Sequence, residues 1–333
     1  MNPAFAVADY RAPELRAIPW NDFLSEFLGL YAAPMKSPNT LRHTVYTMGL
    51  LSELGVQSTA DLTTAMLASL VTSHAPGRSP NTVRSRLRVV QAACTYAEKC
   101  GYVRISPFRI RGVSTWMRPS PPRGIKCHLW ADVQKVLAFM EKAVRESAGW
   151  DQWRARRLWA LTAFLCGSGV RAGEAYHCQI EDLDLSESVA FIHQRDGYRL
   201  KTVASEEFVG LPTDLVALLR EEWLPFRLSA PDGVEVDQLC PWLFPNLTRT
   251  GSWSGGCPGL KPRDRMKTVG RLAGVDGFTP LSCRHSLITQ LDALGQGEGV
   301  IRNQARHTNV TTQRGYKTRK FANLRAGVSG ITF

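Results

Sequence analysis

The chain has 333 residues and carries 41 Lys or Arg against 29 Asp or Glu, a formal charge of +12 at pH 7. A chain of this length exceeds what one hydrophobic core usually supports, so we expect two domains. No stretch reaches the roughly 20 apolar residues that cross a bilayer, and the N-terminus lacks a basic start followed by an apolar run. We therefore expect an intracellular protein with no membrane partner. Its charge favours a polyanion.

The eight cysteines are scattered along the chain, without a CxxC pair and without a Cys/His set at zinc spacing. We interpret them as small buried thiols in a reducing compartment. No cluster of carboxylates marks a site for a catalytic metal, so we predict neither a metal nor another cofactor.

The first third of the chain is predicted to be helical. Residues 1–17 are expected to form a loose arm, and residues 18–108 a helical domain. Two helix starts share one phrase, in "KSPNTLRHTVYTMGLLSELG" and "RSPNTVRSRLRVVQAACTYAEKCG". In each phrase Ser is placed to cap the helix and Pro to be its first residue, and a glycine marks the end.

Basic residues cluster on these two helix starts. Residues 1–126 hold 15 Lys or Arg against 7 Asp or Glu, so they carry most of the chain's positive excess. A charge run is usually only a solvated surface, yet positions 84 and 88 share a helix face and would contact a polyanion together. The candidate contacts are Lys36, Arg42, His43, Arg78, Arg84 and Arg88.

A Pro-, Gly- and Arg-rich stretch, residues 109–127, predicts a basic linker, and residues 128–333 a second domain. That domain is expected to be mostly α-helical with a small antiparallel β-sheet, formed by "SVAFIH", a turn at Asp196-Gly197, "YRLKTV" and "EFVGLP". The predicted helices cover residues 129–144, 153–169, 213–228, 262–273, 280–294 and 298–306.

Two arginines of the second domain are candidates for binding an anion. Arg171 follows a Gly-Ser-Gly turn and has Glu174 within reach on a helix, although a structural ion pair is an equal interpretation. Arg284 is predicted to lie on the apolar stripe formed by residues 281, 287, 288, 291 and 294. A buried guanidinium needs an anion, and a carboxylate or a phosphate would serve.

Three further residues complete a possible phosphate site. Lys201 lies on a predicted strand, on the face opposite residues 198, 200 and 202. His307 closes a predicted helix, and Tyr316 follows it. Taken singly these would be a surface lysine, a helix cap and a core tyrosine. Together with two arginines they suit a site that holds a phosphodiester while a side-chain oxygen attacks it.

The motifs resemble those of the tyrosine recombinases, the phage-integrase family. The first arginine box is matched by "GSGVRAGEA", the hairpin lysine by "LKTVASEEFVGLP", and the nucleophile segment by "ARHTNVTTQRGY", with Ala305-Arg306 in place of the usual Leu-Gly. The second box, His-x-x-Arg-His, is matched in part by "LSCRH", where Leu281 replaces the first histidine. The resemblance covers about residues 128–320, and the helical domain before it is similar to that family's core-binding domain.

The resemblance implies a site-specific recombinase that forms a 3′-phosphotyrosyl intermediate. Arg171 and Arg284 would hold the phosphate, with Glu174 and His285 supporting them. Lys201 would act as general acid and His307 as a hydrogen-bond donor, while Tyr316 would be the nucleophile. It also implies double-stranded DNA as partner, a homotetramer on two DNA sites, and a cytoplasmic, nucleoid-associated location.

Two alternatives stay open. Leu281 suggests a DNA-binding protein that has lost catalysis, because leucine can neither bind a phosphate nor move a proton. It could also have become a packing residue on the apolar stripe. A type IB topoisomerase would use related chemistry without strand exchange.

Overall fold

The structure is a computed structural model that describes residues 15–32, 37–74, 76–110, 112–113, 127–195, 198, 200, 206–229, 239–248, 250, 252–253, 262–306, 328 and 330–332. The chain divides into two compact units, residues 1–123 and 124–333. This division falls within the stretch interpreted as a linker. The predicted class, mostly helical with a small antiparallel sheet, is confirmed.

The first unit is helical throughout its regular elements. Its described α-helices are α1 (Trp20–Glu26), α2 (Pro38–Glu53), α3 (Thr64–His74) and α4 (Pro80–Lys99). The apolar faces of these helices form the core of the unit. α1 continues directly into a π-helical turn, Phe27–Ala32, and a 3-10 turn follows α4 at Pro107–Arg109.

The repeated Ser-Pro-Asn-Thr phrase produces the same cap twice, as predicted. The Ser37 hydroxyl accepts a hydrogen bond from the Thr40 backbone N–H at 3.3 Å, and the Ser79 hydroxyl accepts from that of Thr82 at 3.2 Å. Each bond satisfies one of the free amides of a first helical turn, and the proline at the first position has no N–H to satisfy. Both helices are followed by a glycine with positive φ.

The second unit is built around one buried helix. The described helices are α5 (Trp130–Arg145), α6 (Gly149–Ser168), α7 (Ala172–Tyr176), α8 (Thr213–Ala217, continuing as a π-helix over Leu218–Trp223), α9 (Pro262–Leu272), α10 (Pro280–Ala293) and α11 (Glu298–Ala305). The buried helix is α6, which packs against both α5 and α10 and whose C-terminal half is buried throughout.

The sheet of the second unit has three described antiparallel strands in the order β1-β2-β3. These are β1 (Leu183–Asp184), β2 (Val189–Ile192) and β3 (Glu207–Gly210). The strands predicted in "SVAFIH" and "EFVGLP" are present and pair with each other, whereas the two-residue β1 was not predicted. Most of "YRLKTV", with Asp196 and Gly197, lies outside the described residues.

The C-terminal end of the chain packs on its own second unit. Val328 and Ile331 are buried in the core of this unit. The Trp130 indole donates a hydrogen bond to the Thr332 carbonyl at 2.7 Å. Among the described helices, none is long and apolar enough to cross a membrane.

Candidate functional site

The structure brings together the two predicted arginines and their supporting residues. Arg171, Glu174 and Arg284 lie where α6, α7, α10 and α11 meet, and His285 follows Arg284 on α10. Four of the predicted residues lie outside the described part of the chain, namely Lys36, Lys201, His307 and Tyr316.

Arg171 is placed by the sharp turn that ends α6. Gly169 adopts a left-handed conformation, with φ of 67°, and a Cβ there would lie 2.8 Å from Leu287 Cδ2. Arg171 then caps α7, and Glu174 occupies its first turn. The Glu174 carboxylate accepts from the Arg171 backbone N–H at 2.6 Å and from Arg171 Nη1 at 2.9 Å. The predicted Arg171–Glu174 pair is thus formed.

Arg284 is buried on α10, with 4% of its surface exposed, and its partners are backbone carbonyls. Nη1 donates to the Gly169 carbonyl at 2.6 Å, and Nη2 donates to the Ala305 carbonyl. These carbonyls come two residues before Arg171 and two before position 307. Arg284 therefore joins the two segments that carry predicted site residues.

A third arginine, which was not predicted, belongs to the same cluster. Arg306 ends α11, and its Nη2 pairs with Glu174 Oε2, with both side chains only 1% exposed. Glu174 is therefore held by Arg171 on its own helix and by Arg306 from α11. The replacement of the usual glycine by arginine at this helix end was the one sequence signal that could have revealed it.

The cluster carries more positive than negative charge. Burial, followed by the charges of Arg171 and Arg306, lowers the pKa of Arg284 to about 10, while the charge of Glu174 acts in the opposite direction. Burial raises the pKa of Glu174, but Arg306 and the hydrogen bonds from Arg171 more than offset this, so its pKa lies below the ordinary value. Three guanidinium groups around one ionised carboxylate form a site suited to an anion.

Gln304 fixes the position of α11 against the sheet. Its amide accepts from the Gly210 N–H at 3.0 Å and donates to the Gly210 carbonyl at 2.9 Å and the Ser168 carbonyl at 3.0 Å. A buried amide with its polar atoms satisfied in this way is rigid. It holds the end of β3 and the end of α6 beside the arginine cluster.

Tyr198 lies beside the cluster on the chain that leads to position 201. Its ring stacks on the His177 ring at 4.1 Å, and a Cβ on Gly173 would lie 2.9 Å from its hydroxyl. Burial, followed by the charge of Glu174, raises the pKa of Tyr198 to about 12, while the charges of Arg171 and Arg306 act in the opposite direction. At the same segment Arg195 pairs with Asp182 at 2.5 Å.

Leu281 does not pack on the apolar stripe, and the prediction that it does is wrong. The structure buries Arg284, Leu287 and Leu291 on α10, but Leu281 is 65% exposed and Leu294 is 41% exposed. Both exposed leucines stand at an end of the helix, Leu281 in its first turn and Leu294 at its C-terminal cap. His285 is half-buried, and burial, followed by the charge of Arg284, lowers its pKa. It is therefore neutral at pH 7.

The first unit places its candidate cations at one end of two neighbouring helices. His43 on α2 and Ser85 on α4 form a hydrogen bond of 3.1 Å, so the N-terminal parts of both helices lie side by side. Arg42, Arg78 and Arg88 are exposed there and Arg84 is half-buried. Arg86, by contrast, is buried and donates to the His74 carbonyl.

The chain is similar to solved structures of DNA integrases and recombinases. The Tn1549 transposon integrase in complex with a circular intermediate DNA gives a TM-score of 0.65 at 16% identity, covering 93% of this chain and 98% of that one. The lambda integrase dimer bound to a COC′ core site gives 0.63 at 12% identity, covering 88% and 97%. XerH site-specific recombinase bound to difH gives 0.59 at 17%, covering 87% and 89%.

No family sequence model matches the chain, and none of the curated protein sequences does. The likeness therefore rests on structure. The chain has the fold of the tyrosine recombinases, with a mostly helical second unit and a small antiparallel sheet as in their catalytic domains.

Proposed function

We infer that this chain is a site-specific DNA recombinase that cuts and rejoins strands through a 3′-phosphotyrosyl intermediate. The observation that carries the inference is the cluster of Arg171, Arg284 and Arg306 around Glu174, in which every member except Arg171 is buried. An arrangement with this excess of buried positive charge is stabilised by an anion. A DNA phosphodiester supplies one.

In this proposal the described arginines bind and stabilise the phosphate. Arg171 has 34% of its side chain exposed, so it can reach a phosphate that arrives from solvent. Arg284 uses one N–H of each terminal nitrogen on a carbonyl and keeps further donors for a non-bridging oxygen. Charge that grows on these oxygens in the transition state is stabilised by donors already fixed in place.

Tyr316 is the proposed nucleophile. Its oxygen attacks the phosphorus, the bond to the 5′ oxygen breaks, and a 3′-phosphotyrosyl bond and a 5′-hydroxyl result. Lys201 protonates the departing oxygen, and His307 donates a hydrogen bond to the phosphate. A 5′-hydroxyl from another strand reverses the step, so the bond energy is retained without a nucleotide or metal cofactor.

The first unit is proposed to bind the duplex through the basic ends of α2 and α4. Two helix N-termini lie side by side there, and each favours a phosphate through its free N–H groups and dipole. The exposed cations Arg42, Arg78 and Arg88 add to this attraction. Recombination further requires several copies on two DNA sites, and we propose a homotetramer.

The function is tested with a nicked suicide duplex, selected by the protein itself from a random-sequence pool. After cleavage the short product diffuses away, so a recombinase becomes covalently attached to its DNA. We expect a protein–DNA band that survives SDS and EDTA and disappears after protease treatment. Tight binding without this band would instead support a catalytically silent DNA-binding protein, and cleavage abolished by EDTA would indicate a nuclease.

A second assay separates a recombinase from a type IB topoisomerase. A plasmid carrying two copies of the selected site is incubated with the protein, and its products are resolved on a gel. We expect exchange between the two sites. Relaxation of supercoils without exchange would favour the topoisomerase.

A further inference from the structure

Arg306 has a backbone conformation that is unfavourable for an arginine. Its φ of 47° and ψ of 46° lie in the left-handed region, and Ser188 is the only other non-glycine residue with positive φ in the described part of the chain. Glycine is the residue that suits such a helix end. An arginine retained at this cost needs a compensating contact.

The compensating contact is Glu174. The Arg306 guanidinium is almost completely buried and pairs with Glu174 Oε2, which also accepts the Arg171 backbone N–H. Glu174 Oε1 in turn accepts from Arg171 Nη1 at 2.9 Å. One carboxylate is thus held between a buried guanidinium, Arg306, and a partly exposed one, Arg171.

The last residues of α11 therefore control both phosphate-binding arginines. Ala305 accepts from Arg284 through its carbonyl, and Arg306 reaches Arg171 through Glu174. Among the described residues, Glu174 without Arg306 would keep bonds only to Arg171, whose own side chain is 34% exposed and less constrained by packing.

We propose that Arg306 is a positioning residue, which holds Glu174 in place so that Glu174 fixes the guanidinium of Arg171 towards the scissile phosphate. The inference rests on the proposed function, because Arg171 must act on a phosphate for its position to affect a rate. In this proposal a buried arginine at position 306 supports the site, at a position where the resembled family has glycine.

The charged and titratable groups around Glu174 make the proposal testable by pH. Arg171, Arg284, Arg306 and Tyr198 all act on or respond to its charge. Burial alone raises the pKa of Glu174, and Arg306 is the largest influence that lowers it. Removing Arg306 should raise this pKa, so that Glu174 takes up a proton at a higher pH and Arg171 loses its partner there.

The test compares Arg306→Gly with Arg302→Ala in the full chain, because alanine keeps the interior of α11 helical. Arg302 lies one turn earlier on α11 and pairs with the exposed Glu298, so its loss removes the same charge away from the cluster. The probe is the nicked duplex described above, and both its dissociation constant and its single-turnover cleavage rate are measured from pH 4 to 8.

For Arg306→Gly we expect cleavage to slow by about 10²-fold, the typical effect of a misplaced reacting group, while DNA affinity changes less than about threefold. The acid limb of its pH–rate profile should move to higher pH. Arg302→Ala should match the wild type in cleavage rate, DNA affinity and pH–rate profile. Arg306→Lys, which keeps the charge, should recover part of the rate. An unchanged rate and profile for folded Arg306→Gly would overturn the proposal.

A double substitution shows whether Arg306 acts through Glu174. In a Glu174→Gln background, Arg306→Gly should cost little further rate, because the route it uses is already lost. A full additional loss would contradict the proposal and assign Arg306 a direct contact with DNA.

If the wild type forms no covalent complex, the proposed function fails by itself. The pH dependence of unfolding then decides on the support role. If the pH at which the stabilisation by Glu174 is lost is higher in Arg306→Gly than in the wild type, the contact between Arg306 and Glu174 is upheld. If this pH is unchanged, the contact is rejected.

Discussion

Glu174→Gln removes the single carboxylate of the arginine cluster without changing its size. The wild-type carboxylate is 1% exposed and accepts from Arg171 twice and from Arg306 once. The amide keeps one acceptor oxygen, but its NH2 group faces a guanidinium, and the buried Arg306 loses its counter-charge. Breaking a buried ion pair in this way typically costs about 3–5 kcal/mol. We expect a loss of about 3 kcal/mol in the unfolding free energy at pH 7, since Arg171 is partly solvated.

Urea denaturation followed by tryptophan fluorescence measures this loss. Seven of the nine tryptophans lie in residues 124–333, so the signal reports chiefly on the second unit. Glu141→Gln is the matched control, because Glu141 pairs with Arg145 on the surface of α5. An exposed pair of this kind is worth at most about 1 kcal/mol.

The loss of unfolding free energy in Glu174→Gln should depend on pH. The pKa of Glu174 is depressed in the folded protein, so its stabilisation is complete above the unfolded value of about 4.3 and is lost as pH falls through the folded pKa. The gap between wild type and Glu174→Gln should therefore shrink in acid below that value. A gap under about 1 kcal/mol at pH 7, or one that is independent of pH, would refute the reasoning.

Three further outcomes follow from the site and the basic surface. Leu281→His should accelerate cleavage, because residue 281 is exposed and has room for an imidazole that could assist proton transfer. Such assistance is typically worth about 10²- to 10⁴-fold in rate. An unchanged rate would mean that this position takes no part in the reaction. Gly169→Ala should slow cleavage and destabilise the second unit. Gly295 also has positive φ, but a Cβ on it would meet nothing within 4 Å, so Gly295→Ala should destabilise the unit without slowing cleavage. Equal cleavage rates for the two variants would contradict the role of the Gly169 turn. Replacing both Arg84 and Arg88 by Gln should weaken binding to every duplex and reduce the slope of log affinity against log salt concentration by about one unit per lost contact. The control, Lys142→Gln with Arg145→Gln, should change neither quantity. A loss of discrimination between sequences at constant slope would instead mean that Arg84 and Arg88 read base edges.

Local chemistry made much of the fold predictable. The Ser-Pro-Asn-Thr phrase encodes a cap within four residues, and both copies form it. Helical periodicity likewise located most helices, since each pattern depends on residues a turn apart. The π-helical turns after α1 and α8 and the two-residue β1 carry no such local signal and were not predicted.

The site was predictable where its motif is continuous in sequence. Arg171 and Glu174 are three residues apart and form the expected pair. Arg306 and Glu174 are 132 positions apart, so nothing in either segment indicates their contact. The carbonyl partners of Arg284 depend on how three helices meet. The apolar stripe of α10 misplaced Leu281 because periodicity describes a face but not how far its neighbours extend along it.

The central claim is that Tyr316 forms a covalent bond with DNA, and identifying the linked residue tests it most directly. The protein trapped on the nicked duplex is digested with protease and nuclease, and mass spectrometry then locates the nucleotide-bearing residue. We expect a 3′-phosphotyrosyl nucleotide on Tyr316, and we expect Tyr316→Phe to bind the same duplex with unchanged affinity but without a covalent product. A nucleotide on another residue, or covalent DNA on Tyr316→Phe, would contradict the account.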